Sequence, residues 1–284
     1  MFKNLRPPAI GIQTNMEEGL KLAKSVGFDG LDLDISEASK LAQAYSINYV
    51  RDLWAESGLM MGGWGFPVSW RRGDADYDES LSVFPKLAKL AADLGCYRTA
   101  THVFNWSNAP FNENWDFHIR RLRPPAEILK DYGHSLGLKF IGPATSRRMH
   151  RFFFAYTMDT VLGLAATIGT GNVGLLFDTW HWYTCRSTLD DVRKLTKDEV
   201  VCVHINDAPS GIDPDAQLDD ERCLPGKTGV IPAAELLEIL NDVGYDGPVT
   251  PEPCSDEVEA MEPDDAAKVT LASLDKVWKC AGLA

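Results

Sequence analysis

The chain has no hydrophobic run approaching the roughly 18 residues of a membrane span. Its first residues, MFKNLRPPAIGIQ, hold no apolar signal core. The expected setting is therefore cytoplasmic, with no membrane partner. The six cysteines (Cys96, Cys185, Cys202, Cys223, Cys254, Cys280) show no CxxC spacing and read as reduced thiols. Positive charge is scarce: 28 Lys and Arg stand against 41 Asp and Glu, a net charge of −13. No basic run exceeds pairs such as Arg71-Arg72 and Arg147-Arg148, which argues against a nucleic-acid partner. No GxGxxG follows a first strand, so a dinucleotide-binding Rossmann domain is unsupported. No Pro/Ser-rich linker divides the 284 residues, of which 45% are hydrophobic. One large core and a single domain, 1–284, are expected.

What the sequence does contain is alternation. Short apolar or β-branched runs fall at 9–13, 30–34, 59–65, 97–103, 138–142, 173–178, 200–207 and 247–253. Between them lies helical periodicity, at 17–26, 37–56 with interruptions, 79–94, 115–135, 157–168, 188–195, 232–243 and 263–281. Gly27, Gly95, Gly137, Gly169 and Gly244 follow the helical runs as left-handed caps. Eight strands and eight helices in alternation predict a (β/α)8 TIM barrel rather than an open doubly wound sheet. The irregular stretches 66–78 and 208–228 both follow strands, so a barrel places them on its carboxyl-end face, where loops cover a site.

The strand ends carry the chemistry. The sixth ends LLFDTWHWY, with Asp178 and His181; the seventh ends CVHINDAP, with His204 and Asp207; the eighth ends VTPEPC, with Glu252. Parallel barrel strands bring these ends to one opening, and Asp, His and Glu together form a mixed N/O ligand set for Zn²⁺, Mn²⁺, Co²⁺ or a similar ion. Each residue has a plainer reading: Asp178 as the N-cap of the turn at 179–183, His204 as a satisfied buried histidine. Three such residues at successive strand ends require the plainer reading three times over. The fifth strand, in GLKFIGP, ends with a lone Lys139 instead.

FDTWHWY, VHINDAP, Arg222 with Pro225-Gly226, and GYDGPVTPEP together resemble the sugar phosphate isomerase/epimerase branch of the xylose isomerase-like TIM barrels. The resemblance covers nearly the whole chain and is strongest from 130 to 253. It implies a divalent metal (Mn, Zn, Co or Mg) held at the ends of strands five to eight, with Asp178, His204 and Glu252 as ligands. It also implies that His181 and Arg222 contact substrate oxygens, and that the substrate is a small sugar or polyol. Enzymes of this branch remove a proton next to a carbonyl and pass through an enediolate, so isomerase, epimerase and lyase chemistry are all open. A homo-oligomer is compatible with it. The sequence departs from the branch at Lys139, where relatives carry a metal-ligating, acid/base glutamate, and at Lys227, where relatives often have Glu.

A lysine there disfavours a nearby divalent ion by on the order of 4 kcal/mol per unit charge at 4 Å and an effective dielectric near 20. Lys139 can act as a neutral base beside a three-ligand metal, seat its ammonium in the metal's place against Asp178 and Glu252, turn to solvent, or form a Schiff base. The reading taken is a weakened three-ligand metal site, with Lys139, Glu252 and His181 as catalytic residues and lysine-for-metal replacement as the alternative. His102 ends strand four and is expected to meet substrate, with packing as the alternative; Trp64, Trp70 and Arg71 are expected to stack on or pair with substrate, with loop packing as the plainer role for the tryptophans. The Ser146-Arg147-Arg148 stretch is an anion-site candidate, or solvated surface. The competing function is a catalytically silent sugar-binding barrel or a partner subunit of an enzyme, motivated by the missing glutamate.

Overall fold

Side chains along a β-strand alternate between two faces, and in this chain the two faces have different jobs. In the segment Leu136–Phe140, the residues Leu136, Leu138 and Phe140 are fully buried in the apolar core. Gly137 and Lys139 lie on the opposite face. The same pattern gives Leu175 and Phe177 to the core and leaves Leu176 and Asp178 facing the other way. Only a closed sheet gives that second face a shared interior.

The computed structural model describes residues 1–283 and shows that closure. The strands are β1 (Phe2–Leu5), β2 (Gly30–Leu33), β3 (Met60–Gly65), β4 (Arg98–Val103), β5 (Ser135–Phe140), β6 (Val173–Asp178), β7 (Val200–Ile205) and β8 (Pro248–Pro251). Each pairs in parallel with its chain neighbours, and β8 closes on β1. The expected TIM barrel is thus observed. Helices surround it, among them Met16–Val26, Asp74–Leu94, Phe111–Asp131, Met158–Ile168, Ala233–Asp242 and Pro263–Cys280. The main core fills the layer between helices and strands, where Ala88, Leu122, Leu129, Leu164, Leu236 and Leu274 are fully buried. Inside the barrel the packing is lighter: Leu176, Val201 and Cys202 form a separate small cluster against Ala100. No helix among the described residues is long and apolar enough to cross a membrane.

Several expected boundaries moved, each for a local reason. The first strand is Phe2–Leu5, not 9–13; Pro7–Ile10 forms a 3₁₀ turn. Pro7 and Pro8 have no N–H to give a ladder, and Gly11 turns the chain at φ 79°. Gly137 is no helix cap: it sits inside β5, where an added Cβ would lie 3.1 Å from the backbone nitrogen of Leu176. Gly133, at φ 78°, takes the left-handed position after the preceding helix. The run at 37–56 divides into Ile35–Ala44 and Ile47–Ser57, because Asp34 and Ser46 each cap a new helix start. The loop after β3 is shorter than 66–78, since a helix already begins at Asp74.

Strand register sets the height of the functional side chains. Lys139 is paired with His102 across β4 and β5, Asp178 with His204 across β6 and β7, and His204 with Thr250 across β7 and β8. These residues therefore share one layer at the carboxyl end. Just beyond β5, Gly142 lets the chain pass against the short helix Thr179–Thr184. A side chain there would meet the His181 carbonyl oxygen and, at 2.5 Å, the hydroxyl of Thr184. Gly142→Ala should cost about 1–3 kcal/mol through overpacking. Urea unfolding checks this; an unchanged midpoint would show that the contact relaxes freely.

Candidate active site

The centre of the carboxyl-end layer is Lys139. Its Nζ lies 2.7 Å from Asp178 Oδ2, in contact with Glu252 Oε2, and 3.3 Å from His204 Nδ1. Arg222, from the loop after β7, reaches the same two carboxylate oxygens: its NH1 is 3.4 Å from Asp178 Oδ2 and 3.2 Å from Glu252 Oε2. Arg222 also pairs with Asp219 at 2.9 Å. Arg6, just past β1, stands 3.5 Å from Glu252 Oε1.

Burial makes these charges interdependent. Asp178 is fully buried, and Lys139 and Arg222 nearly so. Burial pushes Lys139 toward losing its proton, but Asp178 and Glu252 outweigh that and raise its pKa above the ordinary lysine value. Burial pushes Asp178 up, and the Lys139 ammonium, with His181 and Arg222, holds it well below the usual carboxylate range. Glu252 is held down in the same way, against its burial, by Lys139, His204 and Arg222. Lys139 is therefore an ammonium here, not the neutral base that was one sequence-level alternative, and it faces the cluster rather than solvent.

Asp178 fills both roles anticipated for it. Its Oδ1 caps the helix Thr179–Thr184 by accepting from the amides of Trp180 at 2.9 Å and His181 at 3.4 Å, while Oδ2 faces the two cations. That cap fixes His181, whose Nδ1 accepts from the Gly142 amide at 3.2 Å. The neutral ring then carries its proton on Nε2, 3.5 Å from Arg222 NH2, where two donors meet without a hydrogen bond and the Nε2–H is left for another acceptor. Burial pushes the His181 pKa down to about 4.

These groups floor a cleft of about 800 Å³ lined by His102, Phe104, Trp106, Lys139, His181, Asp219, Arg222 and Glu252, among others. His102 reaches the cleft as expected. Trp64, Trp70 and Arg71 do not line it. Trp70 is 1% exposed and donates to Thr101 Oγ1 at 3.1 Å, with its ring against His118. Trp64 packs on Phe84 and His134 and borders only a narrower cavity of about 240 Å³ beside β1 to β3. Arg71 lies over the Trp70 and Phe104 rings and donates to the His102 carbonyl. Trp64 faces the helical layer from within β3, and the chain after β3 folds Trp70 against His118 and lays Arg71 over Trp70. Arg147 and Arg148 are likewise engaged, with the Gly142 carbonyl and Asp215, and Lys227 pairs with Glu257 at the surface.

Sequence reasoning missed the supports. Asn206 is fully buried and its Nδ2 bridges Asp178 Oδ1 and the Glu252 carbonyl, both at 3.3 Å. Asp207 accepts four backbone amides, from Ala208, Thr228, Gly229 and Ile231, at 2.7–2.9 Å. It thereby ties both ends of the loop that delivers Arg222. The only sequence signal was position: both stand within three residues of His204. Arg6 was hidden by misplacing the first strand.

Asp178, His204 and Glu252 each offer one ligand atom, and the three atoms lie within 4.8 Å of one another, a donor set of the kind that holds a divalent metal. The Lys139 Nζ contacts all three atoms. An ion within about 4 Å of that ammonium would meet repulsion on the order of 8 kcal/mol at an effective dielectric near 20. The donor set fits a metal; the set together with Lys139 does not.

The family model described as the xylose isomerase-like TIM barrel matches residues 20–277. An inosose isomerase of Halalkalibacterium halodurans is 26% identical over 201 residues, covering 69% of this chain and 67% of that protein. A D-psicose 3-epimerase of Enterocloster bolteae is 22% identical over 57% of this chain and 44% of its own. Among solved structures, a xylose isomerase domain protein from Alicyclobacillus acidocaldarius superposes with a TM-score of 0.90 at 28% identity, covering 99% of both chains. The IOLI protein with a zinc atom, at 17% identity and a TM-score of 0.79 over 98% of both chains, shares the fold.

Two outcomes follow from the site's construction. Asp207→Ala should free the 208–228 loop, so that trypsin cuts after Arg222 or Lys227 several-fold faster; unchanged cleavage would deny the tether. Burial holds His102, His118 and His181 at about 4, whereas an unfolded histidine titrates near 6.5. The unfolded chain therefore binds protons first, and stability should fall as pH drops from about 6.5 to 4. Urea midpoints across that window test the sign.

Proposed function

The chain belongs to the xylose isomerase-like TIM barrel family, and from that premise we propose that it is a sugar isomerase or epimerase that moves the proton beside the carbonyl of a keto-sugar or cyclic polyol ketone. The observation that carries this reading is one ionised carboxylate, Glu252, held at the floor of a cleft beside three N–H donors: Lys139, Arg222 and His181. The similarity to an inosose isomerase and a psicose epimerase supports the substrate class.

Glu252 is the base. Its Oε1 faces Arg6 at 3.5 Å, and its side chain keeps 14% exposure, whereas Asp178 is fully enclosed and saturated with donors. Lys139 and Arg222 suppress the basicity of Glu252 in the free site. Substrate oxygens that draw those donors to themselves return it, because a carboxylate that loses hydrogen bonds becomes a stronger base. Lys139 and the His181 Nε2–H then donate to the carbonyl oxygen as it becomes an enediolate oxygen, where preorganised donors act most strongly. Arg222 holds the neighbouring hydroxyl oxygen.

Lysine at the end of β5 also bears on which reaction occurs. Isomerisation can shuttle a proton between adjacent carbons on one face with a single base. Epimerisation needs a proton delivered to the opposite face, whereas the acid nearest Glu252, the Lys139 ammonium, touches the base itself. The single open carboxylate favours isomerisation. Elimination of a leaving group, the lyase alternative, shares the first step.

Exchange of the α-proton in D₂O, measured by NMR on a panel of ketoses and inososes, tests the reading. Glu252→Gln should abolish exchange, and Lys139→Met should slow it by about 10²–10³-fold through loss of an oxyanion donor. Absence of exchange with every compound in the wild type would instead favour a silent sugar-binding barrel.

A further inference from the structure

We infer that the Lys139 ammonium is a built-in replacement for a divalent ion: it fills the Asp178–His204–Glu252 donor set, and the folded chain takes up no metal at this centre. The inference stands on site geometry and does not depend on which reaction the cleft performs.

Three observations carry it. The first is coordination. A lysine ammonium has three protons, and the Lys139 Nζ lies against three ligand-type atoms: Asp178 Oδ2 at 2.7 Å, Glu252 Oε2 in contact, and His204 Nδ1 at 3.3 Å, which accepts from Lys139 in the Nε2–H tautomer and donates to Glu252 Oε2, 3.2 Å away, in the other. These are the same residues that form the metal-type cluster. The second is sharing. Arg222 NH1 already binds the two carboxylate oxygens that an ion would need, at 3.4 and 3.2 Å. The third is charge. In the buried part of the cluster Lys139 and Arg222 stand against Asp178 and Glu252, two cations against two anions. The more exposed Arg6, Asp219 and Asp32 add one cation and two anions at its rim. A divalent ion would leave the buried four with two uncompensated positive charges, and buried charge is tolerated only when paired.

Among the described residues no other group of three His, Cys, Asp or Glu side chains converges as a metal-type donor set. Asp178 Oδ1 is consumed by the Trp180 and His181 amides and Asn206. Of the other carboxylates lining the cleft, Asp219 is engaged by Arg222, and Asp220, Asp256 and Glu259 do not converge with two further ligand side chains. A carboxylate in place of the ammonium changes the situation at one position. It removes the competing cation and supplies a fourth ligand.

The test is elemental analysis of the full chain, expressed in medium supplemented with Mn²⁺, Zn²⁺ and Co²⁺ and desalted without chelator. Wild type should carry only trace metal, and Mn²⁺ or Zn²⁺ should leave its melting temperature unchanged. Lys139→Glu should retain about one equivalent and melt higher with added ion, as ligand linkage requires. Lys139→Glu/Asp178→Asn should lose that ion. A wild type holding one equivalent that Asp178→Asn removes would overturn the inference. So would a folded Lys139→Glu that stays empty. If Lys139→Glu does not fold, isothermal titration of wild type and Lys139→Gln with Zn²⁺ decides: uptake only in Lys139→Gln supports the inference, and uptake in wild type or in neither overturns it. Metal content is read independently of the D₂O exchange, so failure of either result leaves the other standing.

Discussion

A positive charge buried at the mouth of a barrel needs partners, and the pairing of the Lys139 ammonium with Asp178 and Glu252 is the constraint around which this site is organised. Removing one partner from such a cluster strands the other charges in a poorly solvated place, which costs several kcal/mol. The arrangement also explains why none of the three is free to titrate in the ordinary range: each is held in its charged form by the others, against its own burial. Arg222 extends the cluster into the loop after β7, and Arg6 extends it toward β1.

The barrel supplies what such a cluster demands, side chains from four separate strands at one height. Register does this, by pairing Lys139 with His102 and Asp178 with His204. Small residues below the layer, Ala100, Gly137 and Cys202, leave room for the charged tips above. The supports are specific as well. Asn206 spans Asp178 and the Glu252 backbone, and Asp207 gathers four amides to fix the loop carrying Arg222. Function and stability therefore share the same residues, so substitutions in HIND segment 204–207 should be read for both.

Much of this was legible in the chain. The alternation of apolar runs and helical periods led to a barrel, and the strand-end positions of Asp178, His204 and Glu252 led to a shared opening. For the tryptophans the structure shows packing, the plainer of the two roles weighed, because their value as stacking surfaces says nothing of direction: Trp70 turned inward to Thr101, and Trp64 turned to the helix layer. The first strand was misread because AIGIQ has strand-like composition, while the proline pair before it forbids the ladder. Asp207 was noted at its strand end without a role and Asn206 was passed over, since their hydrogen bonds go to segments far along the chain.

The sequence by itself determined the fold class, the family and the chemical types at the strand ends, because period and residue identity are local properties. It also revealed that lysine stands where a carboxylate was expected. Whether that lysine would shed its proton, face solvent or enter the cluster depended on distances between residues more than a hundred positions apart, Lys139 and Glu252 above all. Electrostatic energy follows separation and burial, and only the closed barrel set those.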